Sequence, residues 1–364
     1  MNPAHRKFLA ALSALALTAS FAFAQAPGPN NAITDVEGVL VGHYQETTDG
    51  AFTGTTVVVI PEGAVGGVDV RGSSPGTRET DLLDPINAVQ EVQAIVLSGG
   101  SAYGLEAATG VMRYLEEQGI GYPVGQDRVV PIVPAAILFD LGRGGDWTRR
   151  PNAEFGYRAA ENATDGPVAQ GNVGAGTGAF AGGGIKGGLG TASIVLENGI
   201  TVAAIVAVNP AGRPHNPETG ELYGRWLELD GEFGGLGTPA QLGFRGAPEN
   251  YLSYFQDSNL LVQNTTIGII ATDAVLTKAQ AEKIAQMAHD GYARALRPVH
   301  TMGDGDVIFA VGTGAIELEG NAFGAIGAAA SDVMARAIVH AIINAETVGE
   351  RLSYCDTFEG VCGE

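Results

Sequence analysis

The chain has 364 residues, with 20 Lys and Arg against 40 Asp and Glu, for a formal charge of −20 at pH 7. A field of that sign repels nucleic acid and anionic membrane, so it argues against both as partners of the mature protein and identifies no other. The two cysteines, Cys355 and Cys362, lie close together near the C-terminus, a position that argues against a catalytic thiol and leaves a small disulfide loop open.

The first 24 residues read as a secretory signal peptide. His5, Arg6 and Lys7 form a charged start, Phe8 to Phe21 is apolar and small, and Ala22-Phe23-Ala24 is a small-x-small cleavage site before Gln25. The apolar run falls short of the ~20 residues that span a bilayer. This predicts an exported protein, periplasmic or secreted. No later hydrophobic run reads as a membrane helix. What remains is long enough for one large α/β domain or two small ones.

Thr55–Ile60 reads as a strand, and Ala94–Leu97 as a second that ends in Ser98-Gly99-Gly100-Ser101. Ala102–Gln118 is helical, with Ser101 as N-cap and Gly119 as its stop. Val129–Ile137, broken by Pro131 and Pro134, reads as an irregular or edge strand. Leu141–Ala169 is a polar loop with a short helix near Ala153–Ala163. Thr191–Glu197 and Thr201–Val208 form a hairpin about Asn198-Gly199. Asn209–Asn259, rich in Pro, Gly and charge, is a long loop of the kind that is functional or flexible.

A β-α-β-α unit follows. Thr265–Ala271 is a strand. Thr277 caps a helix to about Leu296, with Gln280 completing a capping box and Ile284, Ala288 and Tyr292 on one face. Val307–Val311 is a strand, and Ala322–Ala345 a long helix with Ile326, Ala330, Val333, Ile338 and Ile342 inward.

Thr265 begins one strand of this unit, and Asp304-Gly305-Asp306 directly precedes the next. If the strands are neighbours, a hydroxyl and two carboxylates start side by side. A neutral Thr hydroxyl needs a base. A cut between Asn264 and Thr265 would supply one, an α-amine with an ordinary pKa of about 7.7–8.0. The plainer reading is that Asp-Gly-Asp is a turn and Thr265 a strand residue. Asn264-Thr265-Thr266 is also a formal glycosylation sequon.

Gly171–Gly190 is glycine-rich, but a polar loop precedes Gly174-x-Gly176-x-Gly178 and a strand follows it, the wrong context for a dinucleotide loop. Such backbone suits close approach to a substrate or another chain. Lys186 is the one cation in the tract; it is either an ordinary surface lysine or part of a site. Asn209, before Pro210, is a turn residue or an amide donor for an oxyanion. His43, His215, His289, His300 and His340 are scattered without metal-ligand spacing, no HExxH or CxxC is present, and Ser98-Gly99-Gly100-Ser101 lacks the G-x-S-x-G elbow.

Six segments carry a resemblance: RGSSPGTRETDLL (Arg71–Leu83), VLSGGSAYGLEAATGV (Val96–Val111), VGAGTGAFAGGGIKGGLGTAS (Val173–Ser193), AVNPAG (Ala207–Gly212), NTTIGIIATDA (Asn264–Ala274) and HTMGDGD (His300–Asp306). In this order they resemble the DmpA-type L-aminopeptidase/D-esterase family of self-cleaving hydrolases, which includes β-aminopeptidases and nylon-oligomer (6-aminohexanoate oligomer) hydrolases. The resemblance implies an α/β fold, a four-layer αββα sandwich of the N-terminal-nucleophile kind. It implies self-cleavage into a larger fragment, residues 25–264, and a smaller one, residues 265–364, which together form one domain. The resemblance places the cut between Asn264 and Thr265 and implies that Thr265 is the nucleophile. Lys186 and Asn209 fall at catalytic-pocket and oxyanion positions, and Ser101, Tyr103 and Phe139 at the substrate pocket.

Asp304 and Asp306 match the acidic pair of the nylon-oligomer branch, where the aminopeptidase branch tends to have Ser-x-Glu. Where that branch has Glu-x-Tyr-Asp, this chain reads Ile137-Leu138-Phe139-Asp140, so the carboxylate that would hold a free amine is absent. The resemblance thus implies a small peptide or oligoamide substrate, no metal or organic cofactor, and a homo-oligomer of processed heterodimers. An aminopeptidase or esterase on the same machinery is the nearest rival. An acyltransferase, or a binding protein built on glycine loops, is further off.

Overall fold

Thr265–Ala274 is buried along its whole length, and its side chains alternate between two cores with the period of two that a strand imposes. The computed structural model describes residues 25–242 and 264–363. The segment read as a signal peptide, Met1 to Ala24, and the last part of the long loop lie outside the described residues. In chain order the strands are β1 (Leu40–Glu46), β2 (Thr53–Val70), β3 (Thr77–Arg78), β4 (Glu91–Ser98), β5 (Tyr122–Gly125), β6 (Arg128–Val130), β7 (Ala135–Ile137), β8 (Phe180–Ala181), β9 (Ile185–Lys186), β10 (Gly188–Val195), β11 (Thr201–Asn209), β12 (Thr265–Ala274) and β13 (Val307–Ile316). The α-helices are α1 (Ala107–Glu117), α2 (Ala153–Glu161), α3 (Lys278–Ala295), α4 (Ala322–Ile343) and α5 (Tyr354–Thr357).

Nine strands join in the order β10-β11-β12-β13-β2-β4-β7-β3, with β1 also on β2. Three cores show how they are layered. Ile267, Ile269 and Ala271 of β12 share one core with Ala203, Ile205 and Ala207 of β11, Val307, Phe309 and Val311 of β13, and Val58 and Ile60 of β2. The opposite faces of β11, β12 and β13 (Val202, Ala204, Val206, Ile270, Ile308) pack on α3 and α4. The opposite face of β2 and β4 (Val57, Val59, Ala94, Val96) packs on α1 and α2. The order is helices, sheet, sheet, helices, a four-layer αββα sandwich.

β2 passes from one sheet layer to the other. Thr55–Val59 pairs with β4, Val65–Val70 pairs with β13, and the register breaks between Val59 and Ala64. Pro61-Glu62-Gly63 lies at that break, which is why the sequence pattern ends the strand at Ile60. Val129–Ile137 likewise divides into β6 and β7, separated by the stretch from Pro131 to Pro134. β7 is not at an edge: it pairs with β4 on one side and β3 on the other.

Ser101 is not a helix cap. Gly100 adopts φ 85°, Ser101 φ 50°, and a 3-10 turn over Ser101–Glu106 precedes α1. By contrast, Thr277 and Gln280 form the expected capping box at the start of α3. The hairpin about Asn198-Gly199 is formed, with Val195 opposite Thr201. Cys355 and Cys362 are bonded, their Cα atoms 5.4 Å apart. One helix contradicts the sequence reading on length and apolarity. α4, with a mean hydropathy of 1.5, is long and apolar enough to cross a membrane, but 83% of that stretch is buried inside the fold.

The glycine-rich tract opens a 3-10 turn at Gly174–Gly176 and then strands, not a helix. Part of it serves the packing of α4. A Cβ on Gly190 would lie 2.0 Å from the Ala337 carbonyl oxygen and 2.4 Å from the Ala341 nitrogen, both backbone atoms of that helix. Gly190→Ala is therefore expected to destabilise the protein by about 1–3 kcal/mol or more. Gly166→Ala, with nothing within 4 Å of the new methyl, should change stability by no more than about 0.5 kcal/mol. Denaturant midpoints of the two variants check this, and similar midpoints would contradict it.

Candidate active site

β12 and β13 are parallel neighbours, with Ile267 opposite Val307, and Asn264 bridges to Asp304 just before both strands begin. On the other side β11 runs antiparallel, placing Asn209 opposite Thr265. Three adjacent strands thus bring Asn209, Thr265 and the Asp304-Gly305-Asp306 segment together at one end of the sheet. The two strands are neighbours, which is the condition the sequence reading set for bringing Thr265 and the acidic segment together.

Thr265 is 5% exposed. Its Oγ1 donates to the Asn264 carbonyl oxygen, which also accepts from the Gly305 N–H at 3.3 Å.

Asp304 and Asp306 are each 1% exposed, unlike residues of a surface turn. Asp306 accepts the Thr266 N–H at 2.7 Å through Oδ1, and the His300 N–H at 3.2 Å through Oδ2, which lies 2.8 Å from His300 Nδ1. Asp304 accepts the Ala211 N–H at 3.0 Å through Oδ1, and the Thr301 N–H and hydroxyl at 2.9 and 2.6 Å through Oδ2. Burial, and then the neighbouring Asp306 charge, raise the Asp304 pKa to about 6 against these donors.

Lys186 is fully buried, so it is not a surface lysine. Its Nζ donates to the carbonyls of Gly176, Ala179 and Gly187 at 2.9, 2.8 and 2.6 Å. Burial, and then the Arg143 charge, push its pKa well below the ordinary lysine value, against the pull of Asp140. None of its hydrogen bonds goes to Thr265, Asp304 or Asp306. It instead fixes the glycine-rich backbone beside Asn209. Asn209 Oδ1 accepts from the Phe180 N–H at 2.9 Å and Arg143 at 2.5 Å, and Nδ2 donates to the Phe139 carbonyl at 3.3 Å.

Of the residues placed at the substrate pocket, Phe139 is half-buried and meets Trp147 edge-on at 5.9 Å. The Ser101 N–H bonds the Leu138 carbonyl at 2.9 Å. Tyr103 is exposed, with Arg150 over its ring at 3.6 Å. Through Phe139 this group touches Asn209.

Two residues at this end of the sheet were missed as partners. His300, read as one of several scattered histidines, is the side chain on Asp306; its place six residues earlier in the same HTMGDGD segment was the available signal. Asp140, 2% exposed, takes the Gly100 N–H and the Thr53 hydroxyl, each at 2.6 Å. Burial raises its pKa, against Thr53 and Arg143. Among the described residues no three His, Cys, Asp or Glu side chains form a metal-binding group.

The raised Asp304 pKa carries a sign. An unfolded Asp titrates near about 3.9, so between ~4 and ~6 the native state holds a proton that the unfolded chain has lost. Stability from this group therefore falls as pH rises through that window. Asp304→Asn removes the effect, so the variant's stability relative to wild type should improve from pH 4 to pH 7. Urea unfolding at both pH values checks this; an equal difference at the two would contradict it.

The sequence profile of peptidase family S58 matches residues 31–353. An uncharacterized aminopeptidase of Mycobacterium leprae is 47% identical over 361 residues, covering 92% of this chain and 96% of the other. A 6-aminohexanoate-oligomer endohydrolase of Kocuria sp. is 32% identical over 331 residues, covering 84% of each. Among solved structures, the L-aminopeptidase D-Ala-esterase/amidase of Ochrobactrum anthropi, described as a variant of the Ntn hydrolase fold, matches with a TM-score of 0.67 over 92% of this chain and 96% of the other. At 21% identity that likeness shows the fold.

Proposed function

From the premise that this chain belongs to peptidase family S58 and is a hydrolase of peptide or amide bonds, we propose that it cuts itself between Asn264 and Thr265 and then hydrolyses small peptides or oligoamides through an acyl-enzyme on Thr265. The observation that carries this reading is the Thr265 hydroxyl bonded to the Asn264 carbonyl, with the buried Asp304-Gly305-Asp306 segment alongside that bond.

After the cut, the new Thr265 amine takes the hydroxyl proton and Oγ1 attacks a substrate carbonyl. The amine leaving group departs with a proton, an ester remains on Oγ1, and water hydrolyses it. Asp304 and Asp306 orient the Thr265 amine, and His300 holds Asp306. Asn209 supplies its amide to the oxyanion from the adjacent strand. Lys186 acts through the carbonyls that it clamps, keeping Phe180 and so Asn209 in place. The same reading includes export after loss of Met1 to Ala24, and assembly of processed heterodimers into a homo-oligomer.

For the substrate, Ile137 and Phe139 favour an oligoamide resembling 6-aminohexanoate oligomers, because no carboxylate stands there to hold a free amine. The higher identity to an aminopeptidase than to an oligomer endohydrolase favours the second reading, an aminopeptidase or esterase. Parallel assays on free-amine and amine-blocked 6-aminohexanoate oligomers separate them. Equal turnover of both supports the oligoamide reading, and loss with the blocked one supports the aminopeptidase.

Purified protein should run as two fragments on a denaturing gel, the smaller beginning Thr-Thr-Ile-Gly. Thr265→Ala should stay uncut and Thr265→Ser should cut. Thr266 Oγ1 is buried with no partner among the described residues, so Thr266→Val should cut normally and unfold no earlier than wild type. An uncut Thr266→Val chain beside a cut Thr265→Ala chain would move the nucleophile to Thr266.

A further inference from the structure

We infer that the backbone N–H of Gly305 is the oxyanion donor for cleavage of the Asn264–Thr265 bond. The inference rests on the self-processing proposed above and assigns it an atom. In the reaction, Thr265 Oγ1 bonds to the Asn264 carbonyl carbon, the Asn264–Thr265 C–N bond breaks, and the hydroxyl proton ends on the departing nitrogen. Water then cleaves the ester, leaving an Asn264 carboxylate and a free Thr265 hydroxyl. While the carbon is tetrahedral, negative charge sits on the former carbonyl oxygen. The Gly305 N–H already points at that oxygen, from 3.3 Å.

Three observations support the assignment. First, the donor is fixed before reaction, as an oxyanion donor must be. The Asp304 carbonyl accepts the Ser74 N–H at 3.0 Å, and the Asp306 carbonyl accepts the Gly72 and Arg71 N–H groups at 3.0 and 3.1 Å. The carboxylates on either side are tied to Ala211, Thr301, Thr266 and His300. Gly305 is thus held from both flanks.

Second, the position has no room for a side chain. A Cβ on Gly305 would lie 2.6 Å from the Ser74 carbonyl oxygen and 2.9 Å from Thr265 Oγ1. The backbone approaches the reacting hydroxyl as closely as a glycine allows. Third, 3.3 Å is a long ground-state bond. It adds little to the resting chain and strengthens once the oxygen carries charge, so it favours the transition state over the ground state.

The competing account is that this N–H is one more rung of the β12–β13 ladder. Amide-to-ester replacement separates the two. Glycolate in place of Gly305 removes the N–H and keeps the chain otherwise whole. The control is the same replacement at Phe309, inside β13, which removes one ladder donor far from the bond. Each chain is folded from denaturant, and fragment appearance per folded precursor is followed by intact mass. The Gly305 ester should process about 10²–10³-fold slower than wild type, and the Phe309 ester at the wild-type rate.

Processing of the Gly305 ester within a few-fold of wild type would overturn the inference, as would equal slowing of both esters. Should the ester chain not fold, a thioamide linking Asp304 to Gly305 carries the test: it keeps the chain whole and makes the Gly305 N–H a stronger donor to the Asn264 oxygen. It should speed cleavage, while an unchanged or slower rate would overturn the inference. If the wild-type chain itself stays uncut, the proposed self-processing fails and not this assignment alone.

Discussion

The parallel β12–β13 pair, running from Ile267 against Val307 to Thr272 against Gly312, is the constraint on which the candidate site depends. Its register is fixed by apolar burial on both faces. Ile267, Ile269, Val307 and Phe309 fill the core between the sheets, while Ile270 and Ile308 fill the one beneath α3 and α4. A slip of one residue would turn every side chain to the wrong face and exchange Thr265 with Thr266. The placement of Thr265 beside the Asp304-Gly305-Asp306 segment thus follows from this packing.

Ionisable groups inside this fold are held by partners rather than left to water. Lys186 is matched by three carbonyls, and Lys278 likewise by the carbonyls of Leu82, Asn87 and Val89. Arg336 of α4 bonds Glu232 at 2.5 and 2.6 Å, with His340 and Asn31 on the same carboxylate. Burial raises the Glu232 pKa, but His340 and Arg336 outweigh it and bring it to about 2. That cluster ties Asn31 and the Glu232 stretch of the long loop to α4. Isolated buried charge costs several kcal/mol, so each of these clusters specifies a particular loop arrangement around the sheet.

The strands and helices of the last unit were legible because their apolar residues keep clean periods, and Thr277 with Gln280 marks a helix start by side-chain chemistry alone. Thr265 and the acidic segment were legible as the starts of two strands for the same reason, while the pairing of those strands was not. Other features needed the third dimension. β2 continues past Pro61-Glu62-Gly63 by changing layers, and a one-dimensional pattern reads that as a stop. Ser101 looks like a cap until Gly100 takes a left-handed conformation. Lys186 carries no mark of burial in sequence, because its partners are backbone carbonyls. His300 meets Asp306 through a loop whose path no local pattern encodes.

The central claim, that acyl transfer passes through Thr265, is tested most directly by trapping the intermediate. Processed protein is incubated with a slowly hydrolysed activated ester of an amine-blocked 6-aminohexanoate unit, quenched in acid, digested and mapped by mass. The acyl mass should appear on the peptide that begins at Thr265 and decay as product forms. An acyl group on any other residue, or continued turnover with none on that peptide, would contradict the account.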